Sequence, residues 1–544
     1  MIKRFIQSRK LLVLSITSGL LMALSWPSGG FPFLALAGLV PLFFIEDHIL
    51  KHRNNYQKYA VFVYSWLAFL IFNLLTTWWI LYASVAGMVV AVTLNSLFMA
   101  IPWAVMHQTR KVLPGRQGPL ALIILWLAFE YLHGLWELSW SWLDLGNAFA
   151  AWPRWVQWYE YTGASGGTLW ILVVNLLLFL LISQLLTPHK PLRKLFWYAL
   201  LLGVAIIIPM LLSFSIGRNY HEIPDPIEVV VIQPGDDPYQ RAETNQQIRQ
   251  KISRMMELAR NQITPDTRFV VAPEGASPTG IWAGQEEDHP MVEAIRQFQQ
   301  EHPQAAWIFG SFVYKMYSNV NEAPPNALPY RDTPRYYEAF NSAVMVPVEG
   351  PVQLYHKSKL VPGIERMPFT WLLRPLGGLV ERFGGIAGSL GTQKERSVFE
   401  GPEGPAVAPV ICYESIYGDY MTEYVTKGAE LIFVITNDGW WRNTPGYRQH
   451  NQYARLRAIE TRRSIARAAS TGISSFIDQK GDFLQKTAWW ESTAIRQSIN
   501  QNDQLTYYSV HGNFLGKISV FIALLLIMYL ISQGIIKKDK QRKL

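Results

Sequence analysis

Three residues in the second half of the chain have side chains suited to nucleophilic chemistry at a carbonyl: Glu274, Lys357 and Cys412. Cys412 is the only cysteine in 544 residues. Its thiolate is a strong nucleophile once a base or a nearby cation generates it. A glutamate in a partly dry site can take that proton and return it to a leaving group. A lysine beside both favours the thiolate and offsets the charge that develops on a tetrahedral oxygen. The backbone N–H of Tyr413 would add a second oxyanion donor, and such donors are typically worth about 3 kcal/mol each. Taken singly, each residue has a plainer role: a packing cysteine on an apolar strand, a helix-capping glutamate after proline, a solvated lysine at a strand end.

What raises the three above those roles is where they stand. Glu274 follows Arg268-Phe-Val-Val-Ala-Pro273, Lys357 closes Val352-Gln-Leu-Tyr-His356, and Cys412 ends Ala408-Pro-Val-Ile411. Strand ends are where α/β domains gather chemistry. Further β-branched runs at 227–232, 307–313, 343–348 and 431–436 complete a strand set. Between them, 241–260 puts Ile248, Ile252, Met255 and Met256 on one helical face, and 450–464 does so with Tyr453, Leu456 and Ile459. Alternating strands and helices predict an α/β domain of layered sheets over 217–515, entered through a linker at 217–225. About 300 residues suffice for one core.

The rest of the chain is of another kind. Half of all residues are apolar, with 21 Trp and 27 Phe, and the apolar ones form long runs in 1–216 and 516–537. About 20 mostly apolar residues cross a bilayer. Eight stretches qualify, near 10–26, 31–48, 59–81, 84–106, 119–136, 168–187, 195–216 and 516–536. The net charge of +9 does not predict nucleic-acid binding, because its excess Lys and Arg sit between these runs. With Lys3, Arg4, Arg9 and Lys10 inside, alternate connections are basic: Lys51, Arg53 and Lys58; Arg110, Lys111 and Arg116; Lys190, Arg193 and Lys194; then the tail with Lys537, Lys538, Lys540, Arg542 and Lys543. The connections at 27–30 and 82–83 carry no Lys or Arg, and 137–167 carries only Arg154. By the positive-inside rule both termini are cytoplasmic and 217–515 is not. Basic residues ahead of an apolar run ending Ala23-Leu24-Ser25 also fit a cleaved signal peptide, which would leave the large domain on the same side. The expected division is therefore a membrane bundle at 1–216, a catalytic domain at 217–515, and a final span with a basic tail at 516–544. Glu130, His133 and Asn175 fall within spans and are expected to hydrogen-bond between helices.

The motifs around the three residues resemble the carbon–nitrogen hydrolase (nitrilase) superfamily. Pro273-Glu274 resembles its glutamate motif, Tyr355-His356-Lys357 its lysine motif, and Ile411-Cys412-Tyr413-Glu414-Ser415 its cysteine motif. With the flanking spans, the chain is similar to a membrane branch, the apolipoprotein N-acyltransferases. Lys357-Ser-Lys-Leu-Val-Pro-Gly-Ile-Glu365, Asn437-Asp438-Gly439-Trp440, Gln449-His450 and Ala454-Arg-Leu-Arg457-Ala-Ile-Glu460 carry that likeness over nearly the whole chain. There are departures. Ala272 stands where the family commonly has Trp, Gly363-Ile364 for Phe-Gly, Lys359-Leu360 for His-Leu, and Trp441-Arg442 for Phe-Gly; Tyr239 stands in for a usual Trp.

The resemblance implies an αββα sandwich and a Glu274–Lys357–Cys412 triad, with Glu365, Tyr413 and Glu414 supporting it. It implies a two-step transfer in a bacterial inner membrane, with the catalytic domain periplasmic. Cys412 takes an acyl chain from a phospholipid, and the α-amino group of a diacylglyceryl-cysteine on an apolipoprotein then receives it. Tyr239, Trp371, Leu372, Trp440 and His450 are expected along the lipid approach, with 367–387 as an arm dipping into the interface or an insertion packed on the core. No metal-ligand spacing, phosphate-binding loop or dinucleotide fingerprint occurs, so no cofactor or metal is expected. The competing readings are a membrane-tethered amidase on a small C–N substrate and a non-catalytic scaffold; the spans weigh against the first, the three filled positions against the second.

Overall fold

The computed structural model describes residues 2–113, 115, 117–187, 192–240, 242–370, 388–402 and 404–542, with side chains from Arg9 to Ile536. The expected residues Arg116, Lys190, Lys543, Trp371 and Leu372, and segment 371–387, lie outside the described residues. The chain divides into two compact units. One comprises Met1–Trp79, Met88–Arg218 and Asn513–Leu544; the other comprises Ile80–Gly87 and Asn219–Gly512.

The first unit is helical, and helices occupy all eight expected stretches. Among the described residues, six are long and apolar enough to cross a membrane: Pro32–Lys51, Ala60–Tyr82, Val85–Val112, Ala164–Leu185, Leu192–Asn219 and Phe514–Ile536. The helix Gln117–His133 has 17 residues, at the lower end of what crosses a bilayer. The stretch expected at 31–48 begins instead as the 3-10 turn Pro32–Leu34, and its helix Val40–Lys51 carries Pro41 in its first turn. The intramembrane polar groups join helices as expected. Asn175 accepts from Leu39 N (2.8 Å) and donates to Ala35 O (2.7 Å), and His133 Nε2 meets Asn95 Oδ1 at 3.0 Å. Glu130 accepts from Trp126 Nε1 and Leu145 N (2.8 Å each) and from Thr168 Oγ1 (2.7 Å).

The second unit is built on two sheets. In the first, β1 (Pro226–Gln233) lies between β2 (Thr267–Val271) and, antiparallel, the last strand of the domain, Thr493–Asn500. β3 (Ile281–Trp282) pairs with β4 (Ala306–Tyr317), which itself lies beside β2, and β5 (Leu328–Pro329) and β7 (Gln353–His356) both pair with β6 (Tyr336–Val346), on the far side of β4. β4 and β6 pair antiparallel from Trp307↔Val346 to Tyr317↔Tyr336. The second sheet runs β8 (Phe399–Gly401), β9 (Gly404–Ile411), β10 (Leu431–Thr436), β11 (Ile465–Ala469), β12 (Ser475–Ile477), β13 (Phe483–Lys486) in chain order; β9, β10 and β11 are parallel. Thr493–Asn500, as β14, completes the first.

All six residues of β10 are buried, as a strand covered on both faces requires. The Phe269 and Phe433 rings meet 5.2 Å apart between the sheets. The amphipathic helices Asn245–Arg260 and Pro290–Glu301 bury Met255, Met256, Ile295 and Phe298 with the first sheet. Both expected helices start where caps dictate. Thr244 and Gln247 form a capping box ahead of Asn245, and Thr444 with Pro445 opens Pro445–Thr461 five residues before the expected 450.

Candidate active site

Glu274, Lys357 and Cys412 follow β2, β7 and β9, so two come from the first sheet and the cysteine from the second. Lys357 is buried, with Nζ 2.8 Å from Glu365 Oε1 and 3.3 Å from Glu274 Oε1. Burial alone would strip its proton. The fields of Glu274, Glu365 and Cys412 together override that and hold the ammonium well above the ordinary lysine value. Asn341, on β6, donates through one amide nitrogen to Glu274 Oε1 (2.6 Å) and Glu365 Oε1 (2.8 Å). The second oxygens are also held: Glu274 Oε2 accepts from Asn437 N (3.0 Å) and Glu365 Oε2 from Val361 N (2.8 Å).

Glycine is required near Glu274 for a close approach. A Cβ on Gly310 would come within 2.5 Å of Glu274 Cα, and Gly310 N donates to Pro273 O (3.0 Å).

Cys412 has φ 48° and opens the 3-10 turn Cys412–Ile416. A non-glycine residue there stores strain, and its surroundings impose it. Ser415 Oγ (2.7 Å) and His450 Nε2 (3.2 Å) both donate to the Cys412 carbonyl. His450 is fully buried, with Nδ1 3.0 Å from Asp438 Oδ1, and Arg467 Nη2 donates to Asp438 Oδ2 (2.7 Å). Burial would raise Asp438; Arg467 and His450 overcome it and keep the carboxylate well below its usual range. The expectation that His450 lines a lipid approach is thereby corrected: its ring is committed to the backbone beneath the nucleophile.

The Cys412 thiol is pushed up by burial and further by Glu274, while Lys357 and the Thr436 hydroxyl pull it back only in part. Burial thus favours the neutral thiol over the thiolate.

Glu414 is buried, and among the described residues no cation pairs with it. Its Oε1 accepts from Ser358 N (2.8 Å), Lys359 N (3.3 Å), Tyr355 OH (2.9 Å) and Tyr420 OH (2.7 Å), and Oε2 from Ile411 N (2.9 Å) and Tyr424 OH (3.4 Å). One carboxylate thus ties the lysine loop to the nucleophile turn. Tyr413, beside Cys412, is buried and its ring packs edge-on to Tyr417 at 5.3 Å. Tyr239 and Trp440 are half-exposed, their rings 5.2 Å apart. Met367 N donates to Gly388 O (2.9 Å) and Leu390 N to Glu365 O (3.0 Å), which closes the base of the segment between them next to Glu365.

Sequence reasoning missed Asn341, and gave no role to Asp438 or Arg467. The available signal was a polar residue inside an apolar strand, Asn341 in Ala339-Phe-Asn-Ser-Ala343 and Arg467 in Ile465-Ala-Arg-Ala-Ala469. Among the described residues no group of three or more His, Cys, Asp or Glu could hold a metal ion. The arrangement is suited to acyl transfer through a thioester, with a carboxylate near a protonated thiol and an ammonium to face an oxyanion.

Residues 18–177 match the family model of the apolipoprotein N-acyltransferase N-terminal domain, and 229–504 match that of carbon–nitrogen hydrolase. The chain is 28% identical over 524 residues to an apolipoprotein N-acyltransferase of Chlorobaculum tepidum, covering 94% of each. It is 24% identical over 523 residues to one of Geobacter metallireducens (92% and 91% covered), and 25% identical over 399 residues to one of Pasteurella multocida (72% and 70%).

Proposed function

The chain belongs to the carbon–nitrogen hydrolase family, with an apolipoprotein N-acyltransferase N-terminal domain ahead of its hydrolase domain, and from that premise we propose that it is a membrane acyltransferase that N-acylates lipoproteins. The observation that carries the reading is the buried Lys357, held between Glu274 and Glu365 within the electrostatic reach of the Cys412 thiol.

In the first half-reaction Glu274 takes the thiol proton as Cys412 Sγ attacks the ester carbonyl of a phospholipid. Lys357 faces the oxyanion. Collapse breaks the ester C–O bond, Glu274 returns the proton to the departing lysophospholipid oxygen, and a thioester remains. In the second, the α-amino group of a diacylglyceryl-cysteine attacks that thioester, Glu274 takes its proton, and the thiol leaves and is reprotonated. The thioester divides one difficult transfer into two easier ones. Glu365 and Asn341 orient the lysine and the base, and Glu414 fixes the two loops relative to each other. Tyr413, Tyr239 and Trp440 line the approach, together with Trp371, Leu372 and the segment around them. The membrane bundle is 1–216, the catalytic domain 217–515 and the terminal span with its tail 516–544. The alternation of Lys and Arg between the apolar runs supports an inner-membrane protein with a periplasmic catalytic domain and both termini cytoplasmic.

The test is intact-mass measurement of wild type and Cys412→Ser after incubation with phospholipid and no acceptor. A fatty-acyl mass gain in wild type alone, removed by hydroxylamine, is the expected result. Absence of the adduct while phospholipid is bound would defeat the reading and direct attention to small amides.

A further inference from the structure

Arg442 ends the 3-10 turn Asp438–Trp441 with φ 51° and ψ −163°. That corner of backbone space is almost exclusive to glycine. The other positive-φ arginine following a helix, Arg462, has ψ 46°, an ordinary left-handed cap, and its buried guanidinium bonds Gln479 O (3.0 Å). Arg442 differs on both counts. Its side chain is exposed, and among the described residues it has no carboxylate or hydrogen-bond partner; its guanidinium lies 4.9 Å above the ring of Tyr82. A glycine would make this turn without strain, so the arginine is not there for the backbone.

The surroundings indicate what the cation meets. The Tyr82 carbonyl accepts from Tyr239 OH (3.0 Å), and the Tyr239 ring packs on Trp440. The result is an aromatic surface beneath one free guanidinium. Tyr82 closes the membrane-capable stretch Ala60–Tyr82, and Val85 opens the next. A chain that turns back between two spans does so at the depth of lipid headgroups, where aromatic residues gather. The anion abundant at that depth is the phosphodiester, and guanidinium binds it through paired N–H donors. The turn is also tied to the reaction centre at both ends: Asn437 N donates to Glu274, and the Trp441 ring packs on His450, 5.7 Å away, which holds the Cys412 carbonyl.

We propose that Arg442, over Tyr82 and beside Tyr239 and Trp440, is the phosphate subsite for the acyl donor, which sets the donor ester in register with Cys412. This rests on the reading of phospholipid as donor. Phosphate and acyl ester are a few bonds apart in such a lipid, so one fixed contact positions the other.

The experiment measures acyl-cysteine formation by the full chain in mixed micelles, with phosphatidylglycerol or with diacylglycerol, which has the same esters and no phosphate. Arg442→Gly removes charge and strain together; Arg442→Gln removes the charge and keeps the strain. Both should lose about tenfold of the preference for phosphatidylglycerol over diacylglycerol, through KM, and Arg442→Gly should unfold at a higher temperature than wild type. Wild-type preference in either variant would overturn the subsite while leaving the donor reading intact. Failure of wild type itself to take an acyl chain from phosphatidylglycerol would overturn both.

Discussion

His450 Nε2 lies 3.2 Å from the carbonyl oxygen of Cys412, so the cysteine is held from behind through its backbone. Asp438 and Arg467, both fully buried, hold the ring in turn. A residue in this strained conformation stores about 1–3 kcal/mol, which the buried network opposes.

Removing that hold should let the turn relax. His450→Ala is expected to slow acyl-cysteine formation about 100-fold, the scale of a roughly 1 Å misplacement, with little change in phospholipid KM. Single-turnover mass measurements test this. An unaltered acylation rate in a folded variant would mean that Ser415 alone fixes the turn.

Gly310 should tolerate nothing larger, because the atoms its Cβ would strike belong to the backbone of Glu274 and Gly275. Gly310→Ala is expected to cost about 1–3 kcal/mol from overpacking and to displace Glu274, abolishing measurable acylation. Gly275→Ala makes a useful contrast. Its Cβ would meet open space, but its φ is +69°, so a loss of roughly 1–2 kcal/mol from backbone strain is expected. Thermal unfolding of both variants separates the two causes.

Glu414→Gln replaces an acceptor-only group, surrounded by six donors, with an amide whose N–H₂ must face some of them. A destabilisation of about 3 kcal/mol is expected, with loss of acylation because Lys357 and Cys412 no longer share an anchor. Denaturant unfolding checks it, with Cys412→Ser as the comparison that leaves these bonds intact.

Acid should act through His356, which precedes Lys357. Burial, then Lys315, lowers its pKa from 6.5 to about 4. The folded state keeps this ring neutral while the unfolded chain protonates it first. Its contribution is therefore fully present above about pH 6.5 and lost as pH falls through about 4, amounting to at most roughly 3 kcal/mol. The unfolding midpoint of wild type should fall across that window. His356→Gln, which does not titrate, should flatten the profile there; an unchanged slope would count against His356 as the cause.

Some of this was legible in the sequence for physical reasons. Runs such as Leu431–Thr436 stand out because both faces of the strand are covered and apolar side chains follow without a break. β14, at the edge of its sheet, mixes buried and exposed positions in Thr-Ala-Ile-Arg-Gln-Ser-Ile-Asn and gives no such signal. β3, β5 and β12 are two or three residues long, too short for a period to appear. At the site, Glu274, Lys357 and Cys412 are identifiable from type, position and motif. Their partners are not, because a polar residue within an apolar strand does not reveal what it faces. Asn341 meets two carboxylates from distant loops, and His450, expected along the lipid approach, meets a carbonyl 38 positions away.

The hydrogen bond from Met367 to Gly388 gives the chain a docking port for variation. Those two residues meet at one rung, and lengthening the chain between paired ends costs little entropy. Changes of sequence or length beyond that rung therefore leave Glu365 and the bonds beside it in an unchanged frame.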